Sequence, residues 1–121
     1  MELNSLEILE PKSSEMTFMM GHSKQSIYYI KNKGEYKIKD IKLDVYTVKR
    51  DESKNLVKTD RNYAKILNSP TVLLPYETKK VKVEVNIPSD YNEVIKVDGK
   101  NRIVPFHITF KAYGVEYIEE L

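Results

Sequence analysis

The clearest pattern in the chain is a row of alternating positions after Thr78. Val81, Val83, Val85 and Ile87 point one way, and Lys80, Lys82, Glu84 and Asn86 point the other. A period of two predicts a strand with one dry face and one wet face. Two more stretches repeat it. Ile41, Leu43 and Val45 alternate with Lys42, Asp44 and Tyr46; Phe106, Ile108, Phe110 and Ala112 alternate with His107, Thr109 and Lys111. Strands dry on one side only belong to antiparallel sheets, because parallel strands are covered on both faces.

Shorter segments fill the intervals. Leu6–Leu9 is a strand opener stopped by Pro11, and Met16–Met19 is a second short strand candidate ended by Gly21. Ser26–Lys31 is rich in β-formers. Asn32-Lys33-Gly34-Glu35 reads as a hairpin turn, with Gly34 suited to a positive φ. Leu56-Val57 fits a brief strand within the polar stretch from Lys49 to Arg61. Tyr63–Leu67 fits either a helical turn or a strand before Pro70. Asp98-Gly99 between two semi-apolar runs is a strong hairpin signal. Pro105 marks a strand start or an edge, and Val115–Leu121 is a last strand or a docking tail. Turn signals roughly every ten residues imply a sandwich or barrel. No segment is long enough for the helical crossovers of a parallel sheet. The expectation is all-β: a single Ig-like antiparallel β-sandwich of about seven strands over residues 1–121, with 113–121 as an edge strand or tail. Its core should hold Phe18, Tyr28, Ile30, Ile41, Leu43, Val45, Val81, Val83, Val85, Phe106, Ile108 and Phe110.

Composition narrows the function. The 121 residues carry 20 basic and 18 acidic side chains, a net charge of +2. Such a mixed surface is solvated, unlike the basic face that nucleic acid demands. No cysteine is present, which removes disulfides and thiolate chemistry. No apolar run has the length of a membrane span. The first residues, Met1 to Glu7, carry acid where a signal peptide needs a basic and then an apolar region.

The order of features resembles a broad immunoglobulin-like group. It includes hydin-type and major-sperm-protein domains, the first domain of periplasmic pilus chaperones, and Ig-like modules of bacterial surfaces and phage particles. The matching pieces are Phe18 before Gly21, the strand ending in Asn32-Lys33-Gly34, and Ile41–Val45. Leu74-Pro75-Tyr76-Glu77, the valine row with Ile87-Pro88, and Phe106–Phe110 complete them. The chain departs from the group's pattern at Tyr76, where a Gly is usual. It has neither Trp nor a Cys pair, so it does not resemble an antibody-type domain. The resemblance implies a non-catalytic interaction module.

Candidate chemistry is sparse. His22 and His107 could join Glu77 or Asp44 at a metal, but their spacing puts no third ligand in register. No nucleophile elbow or phosphate-cradling glycine loop occurs. Catalytic, cofactor and metal sites are therefore not expected. Tyr28, Tyr29, Tyr36 and Tyr46 interleave with Lys31, Lys33, Lys37, Lys39 and Lys42, as in sheet-based single-strand binders. Glu35, Asp40 and Asp44 in the same block weigh against that, and alternation puts Tyr28 in the core beside Ile30.

The favoured role is a structural or interaction module in a multi-protein assembly, such as a virion, phage tail or surface layer. Synthesis without a signal peptide and the lack of disulfides favour the virion. The partners expected are other protein subunits, self or hetero; membrane, nucleic acid and small-molecule substrates are not. Candidate partner contacts are Tyr91, Val94 and Ile95, and Val115, Tyr117 and Ile118 on the end strand. The loops 49–62 and 89–101 are further recognition candidates. The alternatives are a chaperone-like strand-holding domain and a nucleic-acid-binding domain using the block 28–46.

Overall fold

A computed structural model describes residues 5–10 and 20–117. Among these, nine strands form: β1 (Leu6–Leu9), β2 (His22–Asn32), β3 (Lys37–Arg50), β4 (Leu56–Lys58), β5 (Ala64–Ile66), β6 (Thr78–Ile87), β7 (Val94–Val97), β8 (Lys100–Ile103) and β9 (His107–Tyr117). One sheet has the order β1-β2-β6-β5, the facing sheet the order β4-β3-β9, and β7-β8 is a separate hairpin. Every pairing is antiparallel. The two larger sheets hold seven strands, the number expected from the sequence, and the expected Asp98-Gly99 hairpin stands beside them.

The dry faces meet as the alternation requires. Val81, Val83 and Val85 of β6 are at most 1% exposed. Tyr28 of β2 stacks on Phe110 of the opposite sheet, with ring centroids 4.5 Å apart and planes 8° from parallel. Ile30, Ile41, Val45 and Phe106 are buried as well, while Leu43 and Ile108 are half-buried against the same cluster. Phe18 and the Met16–Met19 strand candidate lie outside the described residues. Ile38 and Leu73, both fully buried, were not expected in the core. They form a two-residue bridge, Ile38 N donating to Leu73 O at 2.8 Å and Leu73 N to Ile38 O at 2.9 Å. The bridge ties the segment before Pro75 to β3. The ambiguous stretch at Tyr63 resolves as strand β5, because Ala64 and Ile66 pair with Val85 and Val83 of β6.

The Asn32–Glu35 turn corrects the sequence reading. It does not close a hairpin: β2 pairs with β1 and β6, and β3 belongs to the other sheet. The chain crosses between layers here, and the Asn32 side chain holds the crossing. Its Nδ2 donates to Tyr36 O at 2.7 Å and Leu74 O at 3.2 Å, and its Oδ1 accepts from Gly34 N at 2.9 Å. Gly34 is not at positive φ. A Cβ there would meet Ser5 Cβ at 3.0 Å, closer than an ordinary contact, so a larger residue would have to displace Ser5.

The Asp98-Gly99 turn does close the β7–β8 hairpin, with φ of 52° and 75°, as a two-residue turn of this hand requires. Leu74–Glu77 is a proline-led turn closed by Glu77 N donating to Leu74 O at 3.0 Å. Tyr76 stands in it at φ 62°, where glycine carries no side-chain penalty. Tyr76→Gly is therefore expected to raise stability by up to about 1 kcal/mol, the relieved strain being partly offset by glycine's backbone entropy. A urea unfolding midpoint at or below that of the parent would contradict this.

Candidate functional site

The sheet edges are where strand backbone groups stand open to pairing. β1, β4 and β5 are edges of three or four residues. β9 is different: it is 11 residues long and pairs with β3 on one side only. Among the described residues no strand hydrogen-bonds to its other side, although β1 comes near its far end. Long unpaired edges invite another strand, and proteins usually shorten them or guard them with charge. Along β9 the outward row is His107, Thr109, Lys111, Tyr113 and Val115, by alternation with buried Phe110. Tyr113 and Val115 are 55% and 53% exposed. The far end of β9 is tied down by Ser5 Oγ donating to Glu116 Oε1. Opposite Tyr113 and Val115, β3 carries a bulge between Lys39 and Lys42, with Asp40 at φ 54°. A bulge bends its strand and sharpens the local twist.

The sequence-predicted contacts separate. Val115 is exposed on the β9 edge, Tyr117 ends β9 opposite Lys37, and Ile118 lies outside the described residues. Val94 and Ile95 are half-buried in β7. Tyr91 is a correction: it is 3% exposed and cannot meet a partner. Its ring packs with Tyr63 and Phe106 at centroid distances of 5.1 and 6.0 Å, and its hydroxyl donates to Val104 O at 2.6 Å. A tyrosine in a polar loop gave no periodic sign that its ring turns inward.

That aromatic cluster borders a buried polar hub that sequence reasoning missed. Glu93 is 2% exposed. Its Oε1 accepts from Asp60 N at 2.9 Å and lies 3.5 Å from Lys49 Nζ; its Oε2 accepts from Tyr63 Oη at 2.9 Å. Burial, then the bond to Glu93, pushes the Tyr63 phenol up, and burial does the same to Tyr91. Both hydroxyls therefore stay protonated as donors through the physiological range. The hub fastens β3 (Lys49), the loop before β5 (Asp60, Tyr63) and the segment leading to β7. With every oxygen engaged, Glu93 is a structural fastener.

The Tyr/Lys block does not form one surface. Tyr28 is in the core, Tyr29 is exposed on the β1-β2-β6-β5 sheet, and Tyr36 is exposed in the crossing turn. Tyr46 lies on β3, its ring covered by Lys58 Nζ at 4.8 Å and Lys111 Nζ at 5.6 Å. His22 opens β2 and His107 opens β9, both exposed. Among the described residues no three His, Asp or Glu side chains gather, and no helix is long and apolar enough to cross a membrane.

No family model matches the sequence, and no curated protein matches it. Among solved structures, the chain is similar to the ASH / PapD-like domain of human CEP192 (PapD-like domain 7). The sequence identity is 19% and the TM-score 0.50. The match covers 70% of this chain and 61% of that one, so it spans less than two thirds of the neighbour's length. At that identity the likeness speaks for the fold alone: an all-β, Ig-like β-sandwich, with no support for a bacterial or phage setting.

Proposed function

We propose that this chain is a non-catalytic interaction module, a subunit or domain of a multi-protein assembly, that pairs β9 with an extended strand of a neighbouring protein. The observation that carries the reading is an 11-residue strand whose outer edge has no hydrogen-bonded strand among the described residues and which bears exposed Tyr113 and Val115. Added strands gain main-chain hydrogen bonds from such an edge and side-chain contacts from alternate positions. The neighbour is another copy or a different chain, and a virion, phage tail or surface layer is one setting for either. The scattering of the Tyr/Lys block over separate faces weighs against nucleic acid.

The test is the mass in solution by light scattering at rising concentration, for the parent and for Tyr113→Lys/Val115→Lys. Self-pairing raises the parent's mass, and the charged edge abolishes the rise. A parent that associates equally well with lysines at both positions would remove β9 from the contact.

A further inference from the structure

Beside the turn that joins β3 to β4 lies a cavity of about 500 Å³. Its floor is apolar, built from Ile95 and Val97 of β7 with Val104 and Pro105 before β9. Arg50, Lys54, Lys96 and His107 stand around it, with the acids Asp51 and Glu52. The acids are engaged by backbone. Asp51 Oδ1 accepts from Ser53 N and Asn55 N, each at 2.9 Å, and Glu52 Oε1 accepts from Lys96 N at 3.0 Å. Arg50, Lys54 and Lys96 form no salt bridge among the described residues, although Lys96 interacts through space with the Glu52 carboxylate. Arg50 Nη1 donates to Lys54 O at 2.7 Å, which fixes the guanidinium against the turn. Lys54 itself holds φ 64°, a conformation that usually selects Gly or Asn.

An apolar floor under a rim whose three basic side chains, Arg50, Lys54 and Lys96, outnumber its two acids matches one ligand chemistry. We propose that this cavity binds a small amphipathic anion, a medium-chain alkyl carboxylate, with its tail on Ile95, Val97, Val104 and Pro105 and its carboxylate among Arg50, Lys54 and Lys96. The volume suits a small molecule, within the range of about 300–1,000 Å³ common for such sites. A neutral alkyl ligand leaves the rim unused, and an alkyl cation is repelled by it. This goes beyond the strand-pairing role, shares only His107 at the start of β9 with it, and departs from the sequence expectation of no small-molecule ligand.

The experiment is an amide NMR titration of the full chain with decanoate below its micelle concentration, run beside decylammonium. Decanoate is expected to give saturable shifts centred on Ile95, Val97, Val104 and His107, and to bind roughly tenfold or more tightly than decylammonium. Lys54→Glu/Lys96→Glu, at two exposed positions, weakens decanoate by a similar factor. Lys80→Glu/Lys82→Glu, an equal charge change on the other sheet, does not. Equal binding of the two amphiphiles, shifts centred elsewhere, no saturable shift, or equal weakening in both variants would overturn the proposal. If the first variant fails to fold, the comparison of the two amphiphiles on the parent still decides.

Discussion

Glu93→Ala is expected to cost about 3–5 kcal/mol of stability, the range for removing one partner of a buried ion pair. The substitution strips three contacts at once. Lys49 Nζ loses its counter-ion at 3.5 Å, and Asp60 N and the Tyr63 hydroxyl lose their acceptor at 2.9 Å each. Lys49 keeps only a long bond, 3.4 Å, to Val94 O. Glu93→Gln keeps the shape and an acceptor oxygen, so its cost should be smaller, about 1–3 kcal/mol. Lys49→Met added to Glu93→Gln should recover part of the loss, because no unpaired charge then remains inside. Urea unfolding of the three variants checks the order. An alanine variant within about 1 kcal/mol of the parent would show that the hub does not fasten the loops.

Phe110→Ala is expected to cost about 3–5 kcal/mol, as large aromatic truncations in packed cores do. Phe110 is 8% exposed, and its stack on Tyr28 is a direct contact between the two sheets. Removing the ring opens a void between layers that neither backbone can close, since β2 is held by β6 and β9 by β3. Tyr28→Phe keeps the stack and should change stability far less. Thermal unfolding followed by near-ultraviolet dichroism reads both effects. Equal, small losses for the two variants would mean that the sheets do not meet through this pair.

Alternation made the two layers legible. The valine row of β6 and the Phe106–Phe110 row of β9 each carry a period of two, and both lie in the core. Ile38 escaped because the bulge at Asp40 shifts the phase of β3, so Ile38 and Ile41 point inward although three residues apart. Leu73 escaped because it pairs as a lone bridge, too short to leave a periodic trace. The Asn-x-Gly signal was seen, but its work is long-range: Asn32 binds Leu74, 42 positions away, and no local reading reveals that. The same holds for Glu93, whose side-chain partners come from two separate segments, β3 and the loop before β5. The sequence reading set Val115–Leu121 apart as a last strand or tail, whereas β9 runs unbroken from His107 to Tyr117 with Val115 exposed; Tyr91 was misplaced because an aromatic in a loop has no period to say which way it turns.

The measurement that reaches the central claim most directly is residue-resolved amide hydrogen exchange along β9 in the monomeric chain. A strand paired on one side protects every second amide, the ones directed at β3, and leaves the alternate ones open to solvent. The account predicts that alternation from His107 to Tyr117. Uniformly slow exchange through β9, at a concentration where the chain is monomeric, would mean that its outer edge is already covered and would contradict a strand-accepting role.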